Sequence, residues 1–470
     1  MSQVLEELPH AVVAVLQGDE NAVVYDALWD PHFTAALWPL IREQQSLTGG
    51  TGKIAGLALP SIAAYPAAAP QPIQSRADQH NTVIQYGERA FLKVFRRLDE
   101  GINPEWEVGR FLTERGFPHV PPVLGALEYR RPKSEPLTLA VLHAYVPSQG
   151  TAWQYVLNAV GHYLDWVLTS GGVEQAPPQL MRSIVELSEE ADLPALLVEA
   201  AGPFLDSVRL LGQRVAELHL VLASDEEDPA FRGEPYTPLY QRSIYQSLRT
   251  EARRRLQGLQ RFLANSDKEN SLPETDRHLL QEVLQSQNAL LARLQLVAST
   301  PLQVQRYRCH GDLHLGQVLS TGKDFVFVDF EGDPRRTISD RRIKRSLVRD
   351  VARMLYSFHQ AVQTALVEHN GGSSGGHATV RPDDRQRLEP WCDYWQQWMA
   401  ALFLRAYRQT AGDAPFLPAN RLQWRVLLEA FYLDHALAEL QQALEGWDGA
   451  KLTTACHGLL SVLRWPAPGN

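Results

Sequence analysis

A β-rich island set between long helical stretches constrains the fold of this chain more than any other feature. From about residue 152 onward, apolar residues recur at the 3.6-residue spacing of amphipathic helices, for example over 204–222 and 279–296. Residues 306–333 break that pattern with RYRCHGDLHLGQVL and KDFVFVDFEGD, short apolar runs joined by glycine-containing turns. The island gathers His310, Asp312, His314, Gln317 and Asp329 into one short span. Helices that surround a polar loop of this kind build a scaffold for it rather than a continuous sheet.

The first part of the chain reads differently. Residues 1–75 alternate short apolar runs with Gly-, Pro- and Ala-rich stretches and end in a Pro-rich linker at 66–72, which predicts a separate N-terminal cap. NTVIQYGERAFLKVFRRL follows, two β-type runs about Gly87-Glu88 that predict a hairpin, with Lys93 on its second strand. PEWEVGRFLTERG predicts a helix started by Pro104 and stopped by Gly116, and two more strand-like runs lead to residue 146. At 470 residues the chain exceeds one ordinary core, and the expected division is a cap over 1–75, a β-rich lobe over 76–150 and a mainly helical lobe over 151–470. Residues 370–383, rich in Gly and Ser, predict a mobile loop.

Composition excludes several classes. The net charge of -9, with both signs interspersed, provides no basic face for a nucleic-acid backbone. Cys309, Cys392 and Cys456 are odd in number and far apart, which fits reduced thiols and neither a disulfide framework nor a zinc site. The opening MSQVLEELPHAVVAVL carries acidic residues where a secretion signal has basic ones, and no apolar run is long enough for a membrane span. The expectation is a cytoplasmic protein without membrane or nucleic-acid partners.

The island has the parts that phosphoryl transfer requires: a carboxylate to take the proton of an attacking hydroxyl, hard oxygen ligands for magnesium, and a cation on the nucleotide phosphates. Asp312 in HGDLHLGQ precedes the amide Gln317 by five positions, the offset between base and metal ligand in the kinase catalytic loop H-R-D-x-x-x-x-N. Asp329, at the end of an apolar run and inside DFEG, stands where the kinase D-F-G aspartate binds magnesium. Lys93 ends AFLK, which resembles the V-A-I-K strand in type and position, and Glu107 on the following helix is the expected ion-pair partner of that lysine. His310 and His314 lack further His or Cys in range and read as braces of the loop rather than metal ligands. Arg349 and Asp350 in SLVRDVARML read either as a buried ion pair that locks the loop or as a solvated helix face. Two other signals carry no site: TGGTGK lacks the Gly and Ser/Thr positions of a phosphate loop, and WCDYWQQW reads as core or groove packing.

These residues resemble the maltokinases, most closely the maltokinase-like domain fused to trehalose synthase. The resemblance is carried by HNTVIQYGERAFLKVFRRLDEGINPEWEVGRFLTERGFPHVPPVLGALEYR, AYVPSQGTAWQYVL, CHGDLHLGQVL, DFEGDP and SLVRDVARMLYSF. It implies an α+β, bilobal, protein-kinase-like (aminoglycoside phosphotransferase-like) fold with an N-terminal cap and a largely helical C-terminal lobe. It implies ATP and Mg2+ as cofactors and transfer of the γ-phosphate to the anomeric hydroxyl of maltose, in trehalose and α-glucan metabolism, with trehalose synthase as a partner. It carries the catalytic base to Asp312, magnesium to Gln317 and Asp329, and phosphate contact to Lys93, with ADQHNT, including Asn81 and Thr82, over the phosphates. Departures concentrate elsewhere. QQSLTGGTGK replaces the Arg-Trp-Phe-Gly-Gly-Lys-like stretch of the cap, and DHALAEL replaces Glu-Lys-Ala-Leu-Tyr-Glu-Leu on the last long helix. Asp434, His435 and Glu439 are the sugar-binding candidates that remain there, and EGWDG replaces the turn that follows. Two alternatives stay open: a kinase for another sugar such as glucosamine, and a non-catalytic partner domain of trehalose synthase.

Overall fold

The computed structural model describes residues 6, 8–17, 22–75, 81–170, 176–190, 192–269, 272–368, 382–446 and 448–468. The expected phosphate-covering stretch before Asn81, most of the Gly/Ser-rich loop and Trp447 of the EGWDG turn lie outside them. The chain divides into two compact units, residues 1–147 with 327–342, and residues 148–326 with 343–470.

The first unit is built on an antiparallel sheet. Its strands are β1 (Val12–Leu16) and β2 (Ala22–Tyr25), which form a separate ribbon, then β3 (Ser46–Thr48), β4 (Lys53–Ala58), β5 (Pro72–Ser75), β6 (Asn81–Tyr86), β7 (Ala90–Phe95), β8 (Val123–Arg130) and β9 (Leu137–Ala144). The seven from β3 to β9 pair in the order β3-β4-β8-β9-β7-β6-β5. The expected boundary at residue 75 is therefore not a boundary of the sheet, because cap strands β3, β4 and β5 supply both of its edges. The Gly-rich TGGTGK stretch is the turn between β3 and β4.

Strand alternation sorts the residues of β7 onto two faces. Leu92 pairs with Ile84 and joins the buried cluster of Trp38, Tyr86, Leu124 and Leu142 under the helix Pro31–Arg42. Gly56 lets that helix close on β4, since a Cβ there would collide with the Leu40 carbonyl. Tyr86 anchors the contact by donating its hydroxyl to Thr34 O at 2.7 Å. The opposite face carries Lys93, paired with Val141, and Phe95, which clusters with Trp106 and Val141 beneath the helix Pro104–Glu114. Lys93 thus belongs to a half-polar face roofed by that helix.

The second unit is mainly helical, with Ala152–Thr169, Phe204–Leu222, Pro238–Glu269, Val348–Glu368, Pro382–Ala411, Arg421–Gly446 and Gly449–Arg464 as its longest helices. Trp391, Trp395 and Trp398 are all buried, and Trp395 stacks on Phe204 at 5.6 Å, so the tryptophan-rich stretch is core. Cys309, Cys392 and Cys456 are free thiols. Among the described residues no helix is long and apolar enough to cross a membrane.

Candidate active-site residues

In the first unit, the lysine of β7 meets the DFEG segment. Lys93 Nζ lies 2.5 Å from Asp329 Oδ1, 2.6 Å from Glu331 Oε1 and 3.8 Å from Glu105 Oε2, and its side chain is 7 % exposed. Burial opposes the charged ammonium, but Asp329, Glu105 and Glu331 outweigh it and hold the lysine pKa well above its ordinary value. Arg341 adds a second cation 3.8 Å from Glu331 Oε2, and burial keeps the Glu331 carboxyl raised despite Lys93. Asp329 is the most open of the three, with its side chain 34 % exposed. Its φ of 67° lies in the left-handed region, a strain of about 1 kcal/mol that such residues carry where the surroundings impose it. Asn81 donates to Glu331 Oε1 at 2.6 Å, and Thr82 Oγ1 accepts from Arg96 at 3.1 Å.

Glu107 is not the partner of Lys93. The N-cap of its helix, Asn103, accepts from Glu105 N–H and fixes the first turn, so that Glu105 faces the sheet, where it also meets His143 Nε2 at 3.1 Å. A residue two positions on is rotated by roughly 200° around the helix. Glu107 accordingly turns away and forms a two-contact pair with Arg342 at 2.6 and 3.0 Å. The lysine's partner, expected at Glu107, is instead Glu105 of the same PEWE turn, joined by Glu331 of DFEG.

In the second unit, the HGDLHLGQ loop hangs from buried leucines and one buried carboxylate. Leu313 and Leu315 are fully buried, and Leu315 N–H donates to Ser357 Oγ at 3.2 Å. Asp350, 1 % exposed, accepts from His310 N–H at 2.8 Å and Gly311 N–H at 3.0 Å. Gly311 has φ 85°, which explains the glycine of HGD. Burial works against the Asp350 carboxylate, but His219, His310 and the Gly311 N–H more than offset it and hold its pKa low. His219, 3.4 Å from Asp350 and bonded to Tyr407 OH at 2.8 Å, comes from the helix Phe204–Leu222, far away in sequence. Arg349 is not paired with Asp350: it points to Asp434 Oδ2 at 3.3 Å, because adjacent helix residues diverge by about 100°.

Asp312 itself is engaged by Arg353, whose Nη2 lies 2.5 Å from Oδ1, and His314 Nε2 lies 3.9 Å from Oδ2. His314 also accepts the Gly316 N–H at its Nδ1 and is pushed down to about 3 by burial, Arg353 and His310, so it is a neutral brace. Gln317 ends the short turn Leu315–Gln317 and donates its N–H to His314 O. The three sugar-binding candidates of helix Arg421–Gly446 all have protein partners. Asp434 Oδ1 accepts from Arg255 at 2.8 Å, His435 Nδ1 lies 3.0 Å from Arg353 Nη1, and Glu439 Oε2 accepts from Gln360 at 3.3 Å. Arg353, unmarked by any motif, lies one turn beyond Arg349 on the same helix face; that spacing was the available signal.

Among the described residues no cluster of three or more His, Cys, Asp or Glu is arranged to hold a metal ion by itself. The donors instead fit magnesium carried in by a nucleotide, which takes one or two protein oxygens and completes its shell with phosphates and water. In the first unit, the part-exposed Asp329 has the carboxylate chemistry such a site would need.

No family model matches the chain. A glucosamine kinase of Mycolicibacterium smegmatis is 24% identical over 285 residues, which are 61% of this chain and 57% of that protein, so the match spans less than two thirds of the relative. Among solved structures, a glucosamine kinase in complex with glucosamine, ADP and inorganic phosphate aligns over 94% of this chain and 85% of its own, at 18% identity with a TM-score of 0.61. A second crystal form of glucosamine kinase covers 94% and 91% at 18% identity and 0.59. These relatives are named for glucosamine and not for maltose, and what they establish for this chain is its fold, that of the solved glucosamine kinases.

Proposed function

We propose that this chain is an ATP-dependent sugar kinase and that glucosamine is its acceptor. The observation that carries the reading is the meeting of Lys93 with Asp329, 236 positions apart in sequence, at 2.5 Å. A cation and a part-exposed carboxylate brought together from distant segments match the phosphate and metal contacts of phosphoryl transfer. The order Lys93, Asp312, Gln317, Asp329 and the likeness to glucosamine kinases support the same reading. The relatives move the expected acceptor from maltose to glucosamine, in keeping with the altered DHALAEL helix.

On this reading the acceptor hydroxyl oxygen bonds to the γ-phosphorus as the bond from that phosphorus to the bridging oxygen of ADP breaks. The leaving ADP keeps the electron pair, and the hydroxyl proton passes to Asp312. Lys93 binds phosphate oxygens, and Asp350 holds the backbone of the loop that presents Asp312. Asp329 and Gln317 would each offer an oxygen to magnesium brought by the nucleotide, and that ion would supply neutralisation of phosphate charge. The test is ADP release from Mg-ATP with glucosamine, glucose, maltose, trehalose and no acceptor. Release that depends on glucosamine supports the proposal, release with maltose returns the acceptor to the one its motifs imply, and nucleotide binding without release for any sugar favours a non-catalytic domain.

A further inference from the structure

Arg353 joins two things that the reaction above does not itself connect: the carboxylate of Asp312 and the helix Arg421–Gly446. Its guanidinium touches Asp312 Oδ1 through Nη2 at 2.5 Å and His435 Nδ1 through Nη1 at 3.0 Å. Both ends of the contact are sheltered, with the arginine side chain 22 % and the aspartate side chain 18 % exposed. His435 is held in place by Tyr356, whose ring meets it edge-on at 4.8 Å, and by Glu439 at 3.9 Å from its Nε2. Burial, and after it Arg353, Arg349, His314 and Arg255, push its pKa well below the ordinary value, so that the imidazole is neutral and accepts from Arg353.

A carboxylate that must meet an acceptor hydroxyl loses efficiency if it rotates about its side-chain bonds. A guanidinium with one nitrogen fixed on a neutral imidazole and another on the carboxylate removes that freedom, because its planar fork sets both directions at once. Resting on the kinase reading, we propose that Arg353 is the positioning residue of Asp312 and that His435 sets where its guanidinium sits. The helix that carries the expected sugar ligands thereby acts on the base through Arg353.

Steady-state kinetics of Arg353→Ala and Arg353→Lys test this. Arg353→Ala should lower kcat by about 10- to 100-fold with KM for ATP within about twofold, and added guanidinium ion should restore part of the loss. Arg353→Lys, which keeps the charge and the fold but not the fork, should fall between. An unchanged or raised kcat in Arg353→Ala overturns the proposal, as does a loss that guanidinium leaves untouched. The contact is also read without turnover, which separates its failure from failure of the kinase reading. In protein labelled with 15N-arginine, the Arg353 guanidinium should rotate slowly in the wild type and measurably faster in Asp312→Ala, where only the His435 contact remains. Free rotation in the wild type overturns the proposal whatever sugar the chain accepts.

Discussion

The Lys93 group and the Asp312 group differ in charge balance: carboxylates outnumber cations around Lys93, whereas one guanidinium meets one carboxylate at Asp312. Around Lys93, its ammonium and the Arg341 guanidinium face Asp329, Glu331 and Glu105, and the carboxylate at Asp329 remains part-exposed. Around Asp312 one carboxylate is met by the Arg353 guanidinium and flanked by the neutral imidazole of His314. On the proposed reading, the part-exposed carboxylate of the first arrangement would meet the magnesium of an incoming nucleotide. In the second, on the same reading, the guanidinium would hold the proposed base. The two also arise from different architecture: Lys93 comes from a strand and meets Glu105 of a helix and Asp329 and Glu331 of a loop, whereas Asp312 comes from a loop and meets Arg353 of a helix.

The largest expected effect separates the two groups most sharply. Asp312→Ala should lower kcat by roughly 10²- to 10⁴-fold while leaving Mg-ATP affinity nearly unchanged by calorimetry. An equal loss of affinity would move Asp312 to the nucleotide side and break the contrast. Asp350→Ala removes a buried charge that two backbone N–H groups and His219 depend on. It should cost about 3–5 kcal/mol in urea unfolding, and a loss under about 1 kcal/mol would show that the loop is held by other means.

Lys93→Met should weaken Mg-ATP binding by about 10- to 100-fold, the worth of a charge-assisted phosphate contact. Glu105→Gln should perturb nucleotide binding more than Glu107→Gln, because only Glu105 reaches Lys93. The reverse order would restore the expectation drawn from sequence.

The smallest effect concerns pH and the second unit alone. His314 and His359 have pKa values lowered to about 3 and about 4 by burial. Below about 6.5 the unfolded chain protonates these imidazoles while the folded chain does not, so stability is lost as pH falls from 6.5 toward 4. Asp393, raised to about 6 by burial, works the other way and gains stability on acidification between about 6 and 4. His359→Gln, which keeps a donor for the Thr454 carbonyl, should reduce the stability lost between pH 7.5 and 5.5 by about 1 kcal/mol. Equal slopes for variant and wild type would place the acid sensitivity elsewhere.

Local patterns carried much of this architecture. The hairpin about Gly87, the helix after Asn103 and the helical second half follow from periodicity and stop signals read along the chain. The grouping of His310, Asp312, His314 and Gln317 follows from their adjacency. What escaped depends on rotation or on distant partners. PEWE offers two glutamates and no sequence signal of which faces the sheet, and the N-cap at Asn103 decides it. Arg353 and His219 reach the loop from helices whose packing no motif encodes. The prolines of 66–72 read as a linker, yet the strand that starts at Pro72 pairs with β6 in the main sheet.

The most direct test of the central claim measures ADP release from Mg-ATP, with and without glucosamine, by the wild type and by Asp312→Ala. The account predicts release that depends on glucosamine in the wild type and falls to background in the variant, with nucleotide still bound by both. Release that is indifferent to every sugar, or equal in the two proteins, would contradict it.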